Sequence, residues 1–195
     1  GDVQLKVILP NDDIAENIDV GLKLKKHDFK WGAVVNSNAF TTSPYADKYK
    51  EIFLKYFNAS GMENGLKPKH RNWALERSAE QAFPWFLEND FYMRGHMLAW
   101  EGYNFNKAEI KEVYDDTTLT DTEKGYKLIE LFEVHFPHAI PKWDVECWDV
   151  SNEPIANNMV NDLLPDINTH VRWFKLADRL LRVNNKEDVV LYQND

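Results

Sequence analysis

Short apolar runs alternate along this chain of 195 residues with segments in which apolar residues recur at helical spacing. The strand-like runs among them predict five strands, near Phe29–Asn36, Asn58–Glu63, Tyr92–Trp100, Lys142–Ser151 and Asp188–Asn194. Helices are predicted between them at three sets of apolar positions: Tyr45, Tyr49, Ile52, Phe53 and Tyr56; Tyr126, Ile129, Phe132 and Phe136; Ile167, Val171, Phe174, Leu180 and Leu181. Ser78–Asn89 is predicted as the second helix in chain order, although Pro84 lies inside it.

This order of strands and helices predicts an α/β fold with a parallel sheet and right-handed crossovers. A closed TIM (β/α)8-barrel takes roughly 250 residues. A chain of 195 residues with five predicted strands therefore fits either an open sheet or the N-terminal part of a barrel, strands one to five. No repeat or linker divides the segment, which we interpret as one domain over residues 29–195.

The first 28 residues have a different pattern and are predicted to form an N-terminal extension. Apolar and polar residues alternate in two stretches, and Pro10-Asn11-Asp12-Asp13 lies between them as a turn signal. We expect a short antiparallel hairpin that covers the bottom of the barrel, with these apolar positions on its strands: Val3, Leu5, Val7, Val20, Leu22 and Leu24.

The chain is acidic, with 32 Asp and Glu against 23 Lys and Arg and a formal charge of -9. This charge repels phosphate backbones and anionic lipids, so neither nucleic acid nor a membrane is an expected partner. A neutral polysaccharide is compatible with it, and seven Trp in a composition that is 13% aromatic suit sugar faces. The single cysteine, Cys147, lies in an apolar run and is interpreted as a buried, inert thiol.

Polar side chains follow three successive predicted strands. Glu63, Asn64 and Lys67 follow the second strand, His96 and Trp100 lie at the end of the third, and Asn152 and Glu153 end the fourth. Because the carboxyl ends of parallel strands meet at one edge, these groups are expected to share a cleft, with Glu153 as a candidate general acid/base. Each motif also has a structural interpretation: a loop start or helix cap, a solvated charge pair, or a hydrogen-bonded core histidine.

Taken together, the motifs resemble glycoside hydrolase family 10, the endo-β-1,4-xylanases. The resemblance extends from Phe29 onward over these segments: Trp31-Gly32-Ala33, Glu63-Asn64 with Lys67, Arg94-Gly95-His96 with Trp100, Trp148-Asp149-Val150-Ser151-Asn152-Glu153, and Leu191-Tyr192-Gln193-Asn194-Asp195. It implies that Glu153 is the acid/base, that Asn152 binds the sugar beside the scissile bond, and that the glycone side of the cleft is lined by Glu63, Asn64, Lys67, His96 and Trp100.

The resemblance also implies a retaining hydrolysis of xylan by two carboxylates about 5–5.5 Å apart, which needs no metal or cofactor. In this family the nucleophile ends the seventh strand, and this chain has five predicted strands. We therefore expect the isolated chain not to be a competent xylanase, and expect it to be part of a longer enzyme or one piece of a two-chain barrel. A secreted, periplasmic or cell-surface location is implied by the family alone.

Three positions depart from the family pattern: Pro68, Glu101 and Pro154. Glu101 stands where a histidine usually follows the third-strand tryptophan, and an Asn-Glu-Pro sequence also occurs in related cellulases and mannanases. A cellulase- or mannanase-like activity and a non-catalytic xylan-binding or assembly fragment are the alternatives. Asp115, Asp116 and Asp121 fit no calcium-ligand spacing, and Thr120 or Asp121 is more simply a helix N-cap.

Overall fold

A computed structural model describes residues 4–25, 27–68 and 74–195. Its centre is a five-stranded sheet made of β1 (Gly32–Val35), β2 (Ala59–Met62), β3 (Tyr92–Ala99), β4 (Cys147–Asn152) and β5 (Val190–Asn194). The strands are ordered β1-β2-β3-β4-β5 and every neighbouring pair is parallel. Their carboxyl ends therefore meet at one edge, as the alternation of strands and helices predicts.

Eight α-helices connect the strands in the described ranges: α1 (Ser37–Thr41), α2 (Ala46–Tyr56), α3 (Ala74–Glu88), α4 (Ala108–Asp115), α5 (Asp121–Glu133), α6 (Phe136–Lys142), α7 (Met159–Leu163) and α8 (Thr169–Val183). Their apolar faces form one core with the sheet, in which Trp148 and Trp173 are fully buried. Aromatic rings fill the part next to β1 and β2, where Phe40 stacks on Phe86 with ring centroids 4.7 Å apart. This packing holds the strand ends in fixed positions.

The predicted strands all exist, and the errors lie at their ends. The fourth begins five residues later than Lys142, because Lys142 is the last residue of α6. The helical pattern from Tyr126 to Phe136 is divided between α5 and α6, and Pro137 lies in the first turn of α6, where a missing N–H costs little. Thr120 caps α5 in a capping box with Glu123, which confirms a helix start there.

The predicted N-terminal hairpin is wrong in its pairing. The turn forms at Pro10–Asp13, and the residues on either side of it, Ile8 and Ile14, form one isolated antiparallel bridge. The predicted second strand at Val20–Leu24 does not form. Leu22 and Leu24 are 77% and 69% exposed, so this stretch does not bury an apolar face. Val3 lies outside the described residues. The domain boundary between residues 28 and 29 stays a prediction.

Asn58 attaches the chain before β1 to the sheet. Its Nδ2 donates to the carbonyl oxygens of His27 (2.8 Å) and Phe29 (2.9 Å), and its Oδ1 accepts the N–H of Trp31 at 2.8 Å. The extension therefore enters the sheet at the amino end of its strands, opposite the predicted cleft.

The edge strands β1 and β5 pair on one side only within the described residues. Their exposed side chains include Val34 (67%), Val190 (46%) and Tyr192 (44%). A concave space of about 480 Å³ lies on the sheet between β1 and β5. In a closed barrel this face is interior, and a five-stranded parallel sheet with this face open has the form of part of such a barrel. None of the helices in the described ranges has the length and apolar character needed to cross a lipid bilayer.

Candidate active site

Glu153 follows β4 directly and has the left-handed backbone conformation, with φ of 51°. This conformation is uncommon for residues other than glycine and costs on the order of 1–3 kcal/mol. The surrounding backbone holds it in place: the Glu153 N–H donates to the Asn194 carbonyl at 2.6 Å, and the Glu153 carbonyl accepts the Asn157 N–H at 2.9 Å.

The Glu153 carboxylate is held from two sides. The indole Nε1 of Trp100 donates to Glu153 Oε2 at 3.0 Å, and Asn157 Nδ2 donates to the same oxygen at 3.1 Å. The structure thus brings Trp100 and Glu153 together, as the convergence of strand ends predicts. Glu153 is only partly buried, so its other carboxylate oxygen can reach a ligand.

Asn152 is buried beside Glu153 and is 3% exposed. Its Oδ1 accepts a hydrogen bond from Asn194 Nδ2 at 2.6 Å, which leaves the Asn152 amide nitrogen as a donor for a ligand. Asn194 is the last residue of β5, so two neighbouring strand ends hold this amide in one orientation.

Asp149 organises the floor of the site. Its carboxylate accepts from Arg94 Nε and Nη2, at 3.0 and 2.6 Å, and lies 2.8 Å from His96 Nδ1. Burial by itself raises the pKa of Asp149, but the hydrogen bonds from His96 and Arg94 outweigh it and hold that pKa below its ordinary value. His96 is therefore oriented by an ionised partner.

Asn64, Lys67 and Trp100 line one cavity of about 250 Å³. The Lys67 ammonium lies 5.4 Å from the centre of the Trp100 ring, and Phe105 stacks on Trp100 with centroids 4.4 Å apart. Glu63 is exposed at the end of β2, and its Oε2 accepts from Asn36 Nδ2 at 3.1 Å. Glu63, Asn64, Lys67, Trp100, Asn152 and Glu153 therefore lie at the carboxyl ends of their strands, whereas His96 lies inside β3 and lines the concave face of the sheet with Arg94 and Asp149.

Glu101 is a buried carboxyl group next to Trp100, with 2% exposure. Its Oε2 accepts the Val160 N–H at 2.5 Å, whereas its buried Oε1 has no hydrogen-bond partner among the described residues. Burial raises the pKa of Glu101 from 4.5 to about 7, and the nearby Asp162 carboxylate adds to this rise. The backbone N–H groups of Val160 and Asn161 oppose it.

The sequence reasoning did not assign Asn36, Arg94, Asn157 or Asn194 to the site. Asn36 follows β1, so the strand-end argument could have found it, whereas Arg94 lies inside β3, two residues before His96, where the two-residue alternation of strand side chains is the available signal. Asn157 lies in the loop after β4, and no sequence pattern signals its contact with Glu153.

Metal-ligand geometry is not found in the described part of the chain, where no three His, Cys, Asp or Glu side chains form a group that could hold an ion. Cys147 lies on β4, is 2% exposed, and has a pKa raised by burial. The prediction of a buried thiol is therefore confirmed.

A partial β/α barrel with a hydrogen-bonded glutamate, amides and a tryptophan at its strand ends has the architecture of a glycoside hydrolase. The sequence profile described as Glycosyl hydrolase family 10 matches residues 22–195. The chain belongs to this family.

Individual relatives agree with this assignment. Endo-1,4-beta-xylanase B of Thermotoga neapolitana is 26% identical over 134 residues, which cover 62% of this chain and 34% of that protein. The solved structure of Penicillium canescens endo-1,4-beta-xylanase XylE is 19% identical with a TM-score of 0.64, over 85% of this chain and 50% of that one. A variant of Xylanase10C from Cellvibrio japonicus in complex with xylopentaose is 19% identical with a TM-score of 0.59, over 86% and 35% of the two chains.

The chain thus spans between a third and a half of the length of these relatives. The structural likeness shows the fold: a five-stranded part of the family's barrel.

Proposed function

We propose that the enzyme containing this chain hydrolyses β-1,4-xylosidic bonds of xylan with retention, and that Glu153 is its acid/base. The observation that carries this proposal is the Glu153 carboxylate, fixed at the end of β4 by Trp100 and Asn157. Glu153 protonates the leaving glycosidic oxygen and then takes a proton from the incoming water. Family membership and the relatives' names support the choice of xylan.

The remaining predicted residues are proposed to bind the sugar. Asn152 donates to a hydroxyl beside the scissile bond through the amide nitrogen that its contact with Asn194 leaves available. Glu63, Asn64, Lys67, His96 and Trp100 contact the glycone, and the cavity that Asn64, Lys67 and Trp100 share supports this. Carboxylate, amide and ammonium groups match sugar hydroxyls, while the indole face of Trp100 matches the apolar face of a xylose ring.

The nucleophile is proposed to lie on a later strand of the barrel, outside these 195 residues. The open edges of β1 and β5 and the concave face between them support this, since strands six to eight close the sheet at those edges in a full barrel. The partner of this chain is then the remaining part of the barrel, covalently continuous or separate. A secreted, periplasmic or cell-surface location goes with a polymeric substrate.

The test uses the full-length polypeptide and the variant Glu153→Gln, with Glu146→Gln as the matched control. Glu146 precedes the first residue of β4 and, like Glu101, accepts a backbone N–H, that of Met93. Removing a general acid/base should lower kcat/KM on xylan by about 10²–10⁴-fold, while Glu146→Gln should retain it within about 3-fold. Undiminished hydrolysis of xylan by Glu153→Gln would overturn the assignment.

Product analysis on xylan, mannan and carboxymethyl cellulose tests the substrate. Xylo-oligosaccharides from xylan alone are expected, and exclusive cleavage of mannan or of the glucan would indicate a mannanase or cellulase instead. The isolated chain is expected to release no product. If it binds xylo-oligosaccharides without cleaving them, the cleft residues on this chain suffice for binding.

A further inference from the structure

We propose that Glu101 is a positioning residue for the acid/base: it anchors the loop after β4 and so holds Asn157 against the Glu153 carboxylate. This inference rests on the proposed role of Glu153. The relevant loop is residues 154–158, between Glu153 and α7, and we call it the acid/base loop.

The contacts of Glu101 connect the two supports of Glu153. Glu101 directly follows Trp100, which donates to Glu153 Oε2 from β3's side of the site. The Glu101 carboxylate accepts the N–H of Val160, the second residue of α7, two positions beyond the acid/base loop. One side chain thus joins the end of β3 to the far end of the loop that carries Asn157.

The acid/base loop is also held at its two ends, where Pro154 is buried and where Met159 and Val160 of α7 pack in the core, but its middle is exposed. Its exposed residues include Ile155, which is 83% exposed, so apolar packing there does little to hold it. Asn157 contacts Glu153 through both its backbone N–H and its side-chain Nδ2, at 2.9 and 3.1 Å. If the loop shifted at its Val160 end, these contacts with Glu153 would change.

The residue after Glu101 shows how closely the two segments approach. A Cβ at Gly102 would lie 2.9 Å from Asn157 Oδ1 and 3.3 Å from Trp100 Nε1. Asn157 is therefore confined between the backbone after β3 and the Glu153 carboxylate. Glu101 connects the backbone after β3 to α7 through its hydrogen bond with the Val160 N–H, so the segments on both sides of Asn157 are joined.

Glu101 is a buried carboxyl group, with 2% exposure, next to the proposed acid/base site. In the described ranges its buried Oε1 accepts no hydrogen bond of standard geometry, although the nearby Asn161 N–H partly offsets the rise in the Glu101 pKa, and a buried polar atom left unsatisfied costs about 1–3 kcal/mol. A buried group of this kind beside a reactive site is a candidate for a functional role.

The test compares two substrates of the full-length enzyme by kcat/KM, which reports the first chemical step. Xylotetraose has a sugar leaving group that needs protonation, whereas 2,4-dinitrophenyl β-xylobioside has a leaving group that departs without a proton. Glu101→Ala is expected to lower kcat/KM on xylotetraose by about 10–100-fold and on the aryl glycoside by less than about 3-fold, because misplacing the acid affects only the first.

Three further variants separate positioning from stability. Glu101→Gln keeps an oxygen for the Val160 N–H and should restore activity on xylotetraose to within about 3-fold of the parent. Asn157→Ala should show the same selective loss as Glu101→Ala, and the double variant should be no worse than either single one, since the two act in one chain of contacts. Glu146→Gln changes an exposed carboxylate at the other end of β4 and should affect neither substrate selectively.

Equal losses of kcat/KM on both substrates would overturn the positioning role of Glu101. An Asn157→Ala variant with unchanged kcat/KM would also overturn it, and this second test remains available if Glu101→Ala does not fold. Glu153→Ala tests the underlying function separately. If Glu153→Ala shows no preference for the aryl glycoside, the acid/base assignment fails. If it shows that preference and the Glu101 and Asn157 variants do not, only the present inference fails.

Discussion

The indole Nε1 of Trp100 and the Glu153 carboxylate, 53 residues apart in sequence, are joined by a hydrogen bond of 3.0 Å. Because Trp100 follows β3 and Glu153 follows β4, two adjacent parallel strands deliver the donor and the acceptor to the same edge. The stacking of Phe105 on Trp100 fixes the plane of the indole. The orientation of the proposed acid therefore depends on a residue that also lines the cavity shared by Asn64 and Lys67.

Replacing Trp100 by Phe removes the donor and keeps an aromatic ring. We expect kcat/KM of the full-length enzyme on xylan to fall by about 10–100-fold, since the acid/base loses one of its two side-chain donors. Trp85→Phe is the control, because Trp85 packs in the core against Phe40. Steady-state kinetics should show wild-type activity for that control, and a similar loss in both variants would argue against a specific role of the Trp100 hydrogen bond.

Glu101 should make the stability of the protein pH-dependent. Its pKa is raised from 4.5 to about 7 in the folded protein, so the protonated carboxyl group contributes stability to the fold. This contribution is fully present below about pH 4.5 and is lost as the pH rises through 7. A rise of this size corresponds to roughly 3 kcal/mol. Urea unfolding of wild type and Glu101→Gln at several pH values should show the wild type losing stability relative to the variant between pH 5 and 8. Parallel pH profiles of the two proteins would contradict this expectation.

Asp149 should have the opposite pH dependence. Because the pKa of Asp149 is lowered in the folded protein, its ionised carboxylate stabilises the fold at pH values above the ordinary carboxyl pKa. This stabilisation is lost as the pH falls through the pKa that Asp149 has in the folded protein. Asp149→Asn leaves Arg94 and His96 without their anionic partner and should lower the free energy of unfolding by about 2 kcal/mol at pH 7. The loss is smaller than for a fully buried ion pair because the Arg94 side chain is 45% exposed. Urea unfolding at pH 7 and at pH 3 measures both effects, and the difference between wild type and variant should shrink at pH 3.

Gly95 packs directly against Trp148 on the neighbouring strand. A Cβ at Gly95 would lie 2.3 Å from Trp148 Cε3, and Trp148 is fully buried. Gly95→Ala should therefore lower the free energy of unfolding by about 3 kcal/mol. Gly21→Ala is the matched control, because nothing lies within 4 Å of a Cβ there. Thermal melts of the two variants should differ clearly, and equal melting temperatures would show that the core at Trp148 can move aside.

The sequence predicts the sheet well because short segments of strand length alternate with helical periodicity, and β2 and β4 are buried along their whole length although they include polar residues. It predicts the position of Glu153 for the same reason, since a residue that ends a buried parallel strand must lie at the carboxyl edge. Asn157 and Glu101 could not be assigned roles in this way. Their contacts depend on the path of the loop after β4 and on its distance from β3, and neither leaves a periodic pattern.

The N-terminal hairpin shows the limit of alternation as a signal. Alternating residues at Val20–Leu24 indicate that a strand there would be amphipathic, but a strand also needs a partner for its backbone groups. The turn at Pro10–Asp13 instead satisfies its hydrogen bonds locally, with Leu9 N–H donating to the Asp13 carbonyl and Ala15 N–H to that of Val7. Pairing therefore stops at Ile8 and Ile14.

The strand order β1-β2-β3-β4-β5 bears on how this protein is made in the cell. Each strand joins the sheet beside the strand that the ribosome produced just before it, so no pairing has to wait for a distant segment. The sheet can therefore grow in the direction of translation, with the advancing edge at β5. The Glu153 turn, held by the Asn194 carbonyl at the end of β5, would be fixed only when that strand has emerged.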